Sequence, residues 1–139
     1  MRRSQQDLMS RSTREVVEDH LRLRAAGRLE EDLERNVDPD IAVLTVTGVW
    51  RGHDGVREQA RALDRWSSAE GYECSDVVCD GDVAYMAWRA HAGSDCEIRH
   101  GADSYVVRDG RIVAQTIHYV ARDAEGRPVD VDASTAAPV

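Results

Sequence analysis

Lysine is absent from this sequence, and all 18 of its strongly basic residues are arginines. The absence removes any mechanism built on a lysine Schiff base, including the usual attachment of pyridoxal phosphate. It also removes the lysine of a nucleotide phosphate loop, and no glycine-rich phosphate motif is present. No apolar run approaches the roughly 18 residues that a membrane span requires. Met1–Ser12 lacks the apolar stretch of a secretory signal. These features lead us to expect a cytoplasmic protein that does not associate with membranes.

Cysteine is scarce. Cys74, Cys79 and Cys96 match no metal-ligand spacing such as C-x-x-C, and an odd number suits reduced thiols packed as small hydrophobes. His91 and His100 have no clear third partner, so no metal site is expected. Positive charge is the minority sign, with 26 acidic residues setting a net charge of −8. That balance argues against nucleic acid, which demands clustered positive charge.

What is present fits one domain, since 139 residues are enough to bury a core. A first helix begins near Ser12, where Ser12 and Glu15 form a capping box. His20 joins Val16, Val17, Leu21 and Leu23 close to one apolar face, and Gly27 ends the helix. A shorter helix over about Leu29–Arg35 stops at Asn36, and Asp38-Pro39-Asp40 reads as a turn into strand Ile41–Thr47. Gly48–Gly52 is a loop or short edge strand. A third helix, about Gly55 to Trp66, is capped by Asp54 and turns Val56, Ala60 and Leu63 inward. The remainder reads as an antiparallel meander over Tyr72–Cys79, Val83–His91, Cys96–Val107 and Ile112–Val120. Asp80-Gly81 and Asp109-Gly110 are hairpin signals. Residues 1–12 form an N-terminal extension, 13–122 the domain, and 123–139 a flexible tail.

Helices followed by a meander indicate an α+β fold. We expect a cone-shaped, curved antiparallel sheet packed against about three helices and enclosing a pocket. Strand parity places Ala84, Met86, Trp88 and Ala90 on the inner face of one strand, and Asp103 with Tyr105 and Val107 on that of another. A two-residue Asp109-Gly110 loop would pair Asp103 with Thr116 and bring His118 to its face. A three-residue loop with Gly110 in a bulge would pair Asp103 with Gln115. The second separates apolar from polar residues better, so Gln115 and Tyr119 are preferred inside and His118 outside.

The segments Ala25–Leu29, Gly48–Glu58 and Ala102–Val113, in this order among the elements, resemble SnoaL-like proteins of the nuclear transport factor 2-like superfamily. The last segment is also similar to a strand pair of ketosteroid isomerases. The resemblance implies the cone-shaped fold, a homodimer and a hydrophobic small-molecule partner, with no cofactor. Asp103 falls where ketosteroid isomerases keep a protonated oxyanion-hole aspartate, and His20 where they place an oxyanion tyrosine. Their base lies on the first strand, where Ile41–Thr47 offers only Thr45 and Thr47. Limonene-epoxide hydrolases would require an arginine at position 101, where Gly101 stands, and a second acid within Ile112–Tyr119, which has none.

The resulting expectation is a cofactor-independent cyclase, isomerase or dehydratase acting on a polyketide-like or steroid-like compound. Asp103 and His20 are its catalytic candidates, and Trp50, Met86, Trp88, Tyr105, Gln115 and Tyr119 its substrate-binding candidates. A non-catalytic small-molecule binder and a homodimeric association module are the competing readings.

Overall fold

Ser12 initiates the principal helix by the reciprocal bonding expected of it. Its hydroxyl accepts from the backbone N–H of Glu15, whose carboxylate accepts from the Ser12 N–H. The computed structural model describes residues 4–64, 72–92 and 96–129. Helix α2 (Thr13–Ala25) ends where Gly27 takes φ 73°, and Arg28 N–H closes onto the Leu23 carbonyl. It is preceded by α1 (Gln5–Met9) and followed by α3 (Leu29–Asn36). Residues 4–12 are therefore structured. The buried Arg11 guanidinium donates to Asn36 Oδ1 (2.7 Å), the Arg35 carbonyl (3.0 Å) and the Gly110 carbonyl (2.9 Å).

Strands β1 (Val37–Thr45) and β2 (Gly48–Arg51) come next, then α4 (Gly52–Asp64). Asp38-Pro39-Asp40, expected as a turn, lies within β1. Its turn chemistry survives as an interruption of the ladder. The Asp38 carboxylate accepts from Asp40 N–H, and β1's register against β7 jumps between Val37 and Ala42. Helix α4 starts three residues earlier than expected, so Asp54 pairs with Arg57 instead of capping. The expected continuation of this helix to Trp66 and the Leu63 side chain lie outside the described residues.

The remaining strands are β3 (Tyr72–Cys74), β4 (Val78–Asp80), β5 (Val83–Ala92), β6 (Cys96–Arg108), β7 (Arg111–His118), β8 (Ala121–Asp123) and β9 (Pro128–Val129). The segment expected as one strand over Tyr72–Cys79 thus splits in two, both halves pairing with β5. β8 pairs with β6 and β9, so regular structure extends into residues expected as flexible tail; 130–139 lie outside the described residues.

The curved, open sheet has nine strands among the described residues, ordered β2-β1-β7-β6-β5-β3 along its main path. Its pairings are antiparallel except β1–β7, which is parallel. The concave face buries Val37, Ile41, Val43, Ala84, Met86, Trp88, Tyr105, Val107 and Ile112 against Val16, Val17 and Leu33 of the helices. On the opposite face, cross-strand partners line up as Val49, Leu44, Thr116, Ser104, Tyr85 and Val78. Val49, Leu44, Tyr85 and Val78 in this uncharged row are exposed to solvent.

The β6–β7 hairpin corrects the expected register. Asp109 (φ 52°) and Gly110 (φ 74°) make a two-residue loop, with Arg108 opposite Arg111. A bulge then inserts Val113, because Val107 faces Ile112 while Val106 faces Ala114. Asp103 consequently pairs with Ile117, not with Gln115 or Thr116. Ile112 is buried in the interior, and beyond the bulge Gln115 and Ile117 point inward while His118 is exposed.

Candidate functional site

Between α2, α4 and the concave face of the sheet lies a cavity of about 220 Å³. Its apolar wall includes Leu21 and Val56 from the helices and Met86, Trp88 and Ile117 from the sheet. Its polar groups include His20 on α2, Asp103 and Tyr105 on β6, and Gln115 on β7. Six of the eight residues expected at the site are thereby brought together.

Trp50 and Tyr119 are the corrections, since neither lines the cavity. Trp50 sits on edge strand β2, three places from β6, and packs half-buried beside Gly55 at the start of α4. Tyr119 stands behind Trp88, with ring centroids 5.8 Å apart and planes tilted by 53°. It supports the cavity wall from outside. His118 faces away from the cavity, on the exposed side of β7.

Asp103 is 8 % exposed and accepts three hydrogen bonds. Trp88 Nε1 donates to its Oδ1 at 2.9 Å; Tyr105 Oη and Gln115 Nε2 donate to its Oδ2 at 3.1 and 3.0 Å. Desolvation favours the neutral acid, whereas these donors and nearby His20 favour the carboxylate. Burial wins, and the Asp103 carboxyl is held above its usual range. Burial, with the adjacent Asp103 charge, also drives the Tyr105 hydroxyl well above the usual phenol value.

The geometry around Trp88 depends on Gly101. The two residues face each other across β5 and β6, and a Cβ at position 101 would sit 2.3 Å from the indole ring. Only glycine lets the indole lie across β6, where its N–H reaches Asp103. Tyr72 flanks the same indole at a centroid separation of 5.5 Å.

His20 has a partner that sequence reasoning missed. Its Nδ1 lies 2.7 Å from Oδ2 of Asp32, a fully buried residue of α3. With Nδ1 protonated and donating to Asp32, Nε2 becomes the basic ring nitrogen. Asn36 Nδ2 donates to Asp32 Oδ1 at 2.9 Å, and Arg11 in turn donates to Asn36. Asp19 also accepts from Asn36, and from Arg35. Partial burial opposes ionisation of Asp19, but these bonds outweigh it and hold the carboxyl down at about 2. A usable signal was present: Leu29, Asp32, Leu33 and Asn36 share one stripe of α3, so two polar residues stand on its core-facing side.

Cys74, Cys79 and Cys96 are free thiols on three different strands. His53, at the start of α4, hydrogen-bonds through Nε2 to the Val37 carbonyl at 2.9 Å and serves the fold. Among the described residues, no three His, Cys, Asp or Glu side chains cluster as a metal site, and no helix is long and apolar enough to cross a membrane.

A model of the SnoaL-like domain matches residues 17–115. The chain belongs to this family. No curated protein matches the sequence. The SnoaL-like domain superimposes on a nuclear transport factor 2-like protein of unknown function from Burkholderia xenovorans, at 14 % identity and TM-score 0.63, covering 85 % of each chain. It is likewise similar to a protein from Sinorhizobium meliloti with a provisional polyketide cyclase assignment. That match has 20 % identity and TM-score 0.62, over 75 % of this chain and 94 % of the other. TerC, crystallised with polyporic acid, matches at 16 % identity and TM-score 0.61, over 77 % of this chain and 90 % of its own. At these identities the likeness establishes the fold alone.

Proposed function

We propose that this SnoaL-like domain is a cofactor-independent acid–base enzyme of the cyclase, isomerase or dehydratase type. Its substrate class is a hydrophobic polyketide-like or steroid-like carbonyl compound. The observation that carries the reading is the placement of a carboxyl with a raised pKa and an aspartate-backed histidine on the wall of one largely apolar cavity. Structural relatives with a polyketide cyclase assignment or a bound small molecule support the substrate class.

The roles follow from the hydrogen bonds. Asp32 accepts from His20 Nδ1–H, fixing the tautomer in which Nε2 removes a proton from carbon next to the substrate carbonyl. Negative charge then develops on the carbonyl oxygen. Tyr105 and Gln115 occupy both acceptor positions of Asp103 Oδ2, while among the described residues Oδ1 has only Trp88. Oδ1 is therefore the oxygen that carries the acid proton and donates it to the developing oxyanion.

A thermal-shift screen of polyketide-like, steroid-like and terpenoid carbonyl compounds identifies the substrate; a ligand at about 100 times its Kd stabilises by roughly 2.7 kcal/mol. With that compound, Asp103→Asn and His20→Ala should each lower kcat by about 10²–10⁴-fold while binding persists. Turnover at the wild-type rate in both variants would refute the assignment. Binding without consumption, indifferent to Asp103→Asn, would identify a carrier instead.

The uncharged, solvent-facing row across the sheet favours a second, compatible property: two copies pack sheet to sheet as a homodimer.

A further inference from the structure

Two polar groups on the cavity wall have no role in the chemistry above: the Gln59 side-chain nitrogen and the Arg24 guanidinium, neither of which has a partner among the described residues. Gln59, on α4, is 7 % exposed, and its side-chain nitrogen is buried without a hydrogen-bond acceptor among the described residues. A buried amide left unpaired is a standing cost to a fold, tolerated where something else supplies the acceptor. Arg24, on α2 one turn beyond His20, lines the same cavity and is half-buried. Neighbouring arginines on the helices have acids beside them: Arg22 pairs with Asp19, Arg28 with Glu31, and Arg35 with Asp19. Arg24 has no such partner among the described residues, in a chain where acids outnumber basic residues. The acid that shares the cavity wall with it is Asp103, which burial drives toward its uncharged form.

We propose that the cavity's occupant is an apolar molecule bearing a carboxylate, which Arg24 binds while Gln59 donates to a further oxygen of the same molecule. The hydrocarbon body lies against Met86, Trp88 and Ile117. An unpaired guanidinium at a half-buried wall attracts an anion strongly, because its fork of donors matches carboxylate geometry. The unpaired amide, buried deeper, discriminates by position instead of charge. This assignment rests on the acid–base reading for its cavity but concerns binding, so it is tested without turnover.

The test is calorimetry at low ionic strength with three matched pairs: 2-naphthoate, anthracene-9-carboxylate and 4-phenylbutanoate, each against its methyl ester. The wild-type domain should bind at least one acid about ten-fold more tightly than its ester, and added salt should weaken only the acid. Arg24→Gln should bring acid and ester within about two-fold, whereas Arg24→Lys, which keeps the charge but loses the fork, should retain only part of the preference. Gln59→Leu should weaken both members of the pair, since each carries an acceptor oxygen. Equal binding of acid and ester by the wild type, or a preference that survives Arg24→Gln, would overturn the charge assignment and leave the cavity reading standing. Failure of all six compounds to bind would overturn both.

Discussion

Asp103 is where burial and hydrogen bonding oppose each other most directly. Its folded-state pKa is raised, so between the unfolded value near 3.8 and the raised value the native state holds a proton that the unfolded chain has released. Stability therefore falls as pH rises through that window. Asp103→Asn removes the titration while keeping an acceptor for Trp88. The variant's Tm relative to wild type should rise between pH 4 and pH 8, while catalysis is lost. A difference in Tm that is flat across this range would refute the balance. The exchange of stability for activity is expected of a group held in its less comfortable state. At this scale the sequence was half legible. Parity placed Asp103 and Tyr105 on an inner face and helical periodicity did the same for His20. The core-facing stripe of α3 marked Asp32 as buried, but its pairing with His20 stayed hidden because it crosses a helix–helix contact, and no spacing rule links residues on two helices. Gln59 and Arg24 were overlooked for another reason. A missing partner is visible only when the surroundings are.

At the scale of elements, the turn signals were sound but their outcomes depended on curvature. Asp109-Gly110 made its hairpin, Ser12 its cap and Gly27 its stop. The bulge at Val113 was not legible, since no glycine or proline marks it. It lies beside the long interruption of β1 at residues 38–41, where the sheet bends between its parallel and antiparallel neighbours. This bend decided that Ile112 and Gln115 share the interior. Trp50 was misassigned for a related reason: strand order, which a sequence does not display, separates β2 from the cavity. The contact between Gly101 and Trp88 gives a prediction at this scale. Gly101→Ala should displace the indole from Asp103, costing about 1–3 kcal/mol of stability from overpacking, measured by urea denaturation. Unchanged stability would mean that the indole can move freely. Because neither residue supplies the acid or the base, kcat should fall through positioning, and more steeply than KM rises.

For the whole molecule, the two faces of the sheet divide the work. The concave face builds the cavity, while the other presents Val49, Leu44, Tyr85 and Val78 in one row without a formal charge. Leu44→Glu combined with Tyr85→Glu should convert a dimer into a monomer in light scattering after size exclusion, because paired copies would bring like charges together without solvent. A monomeric wild type, or a double variant that still dimerises, would refute the sheet-to-sheet pairing.

Arg11 also bears on how the protein is made. Its carbonyl partner, Gly110, lies 99 residues further along the chain. At ribosomal rates of about 5–20 residues per second, roughly 5–20 seconds separate the synthesis of these two residues. Throughout that interval β1 lacks its parallel neighbour β7, and the buried amide of Asn36 lacks the hairpin that helps seat Arg11. The helices emerge first and can form locally, but the sheet they cover is completed almost last. A nascent chain of this domain must keep Val16, Val17 and Leu33 from other apolar partners until the β6–β7 hairpin arrives.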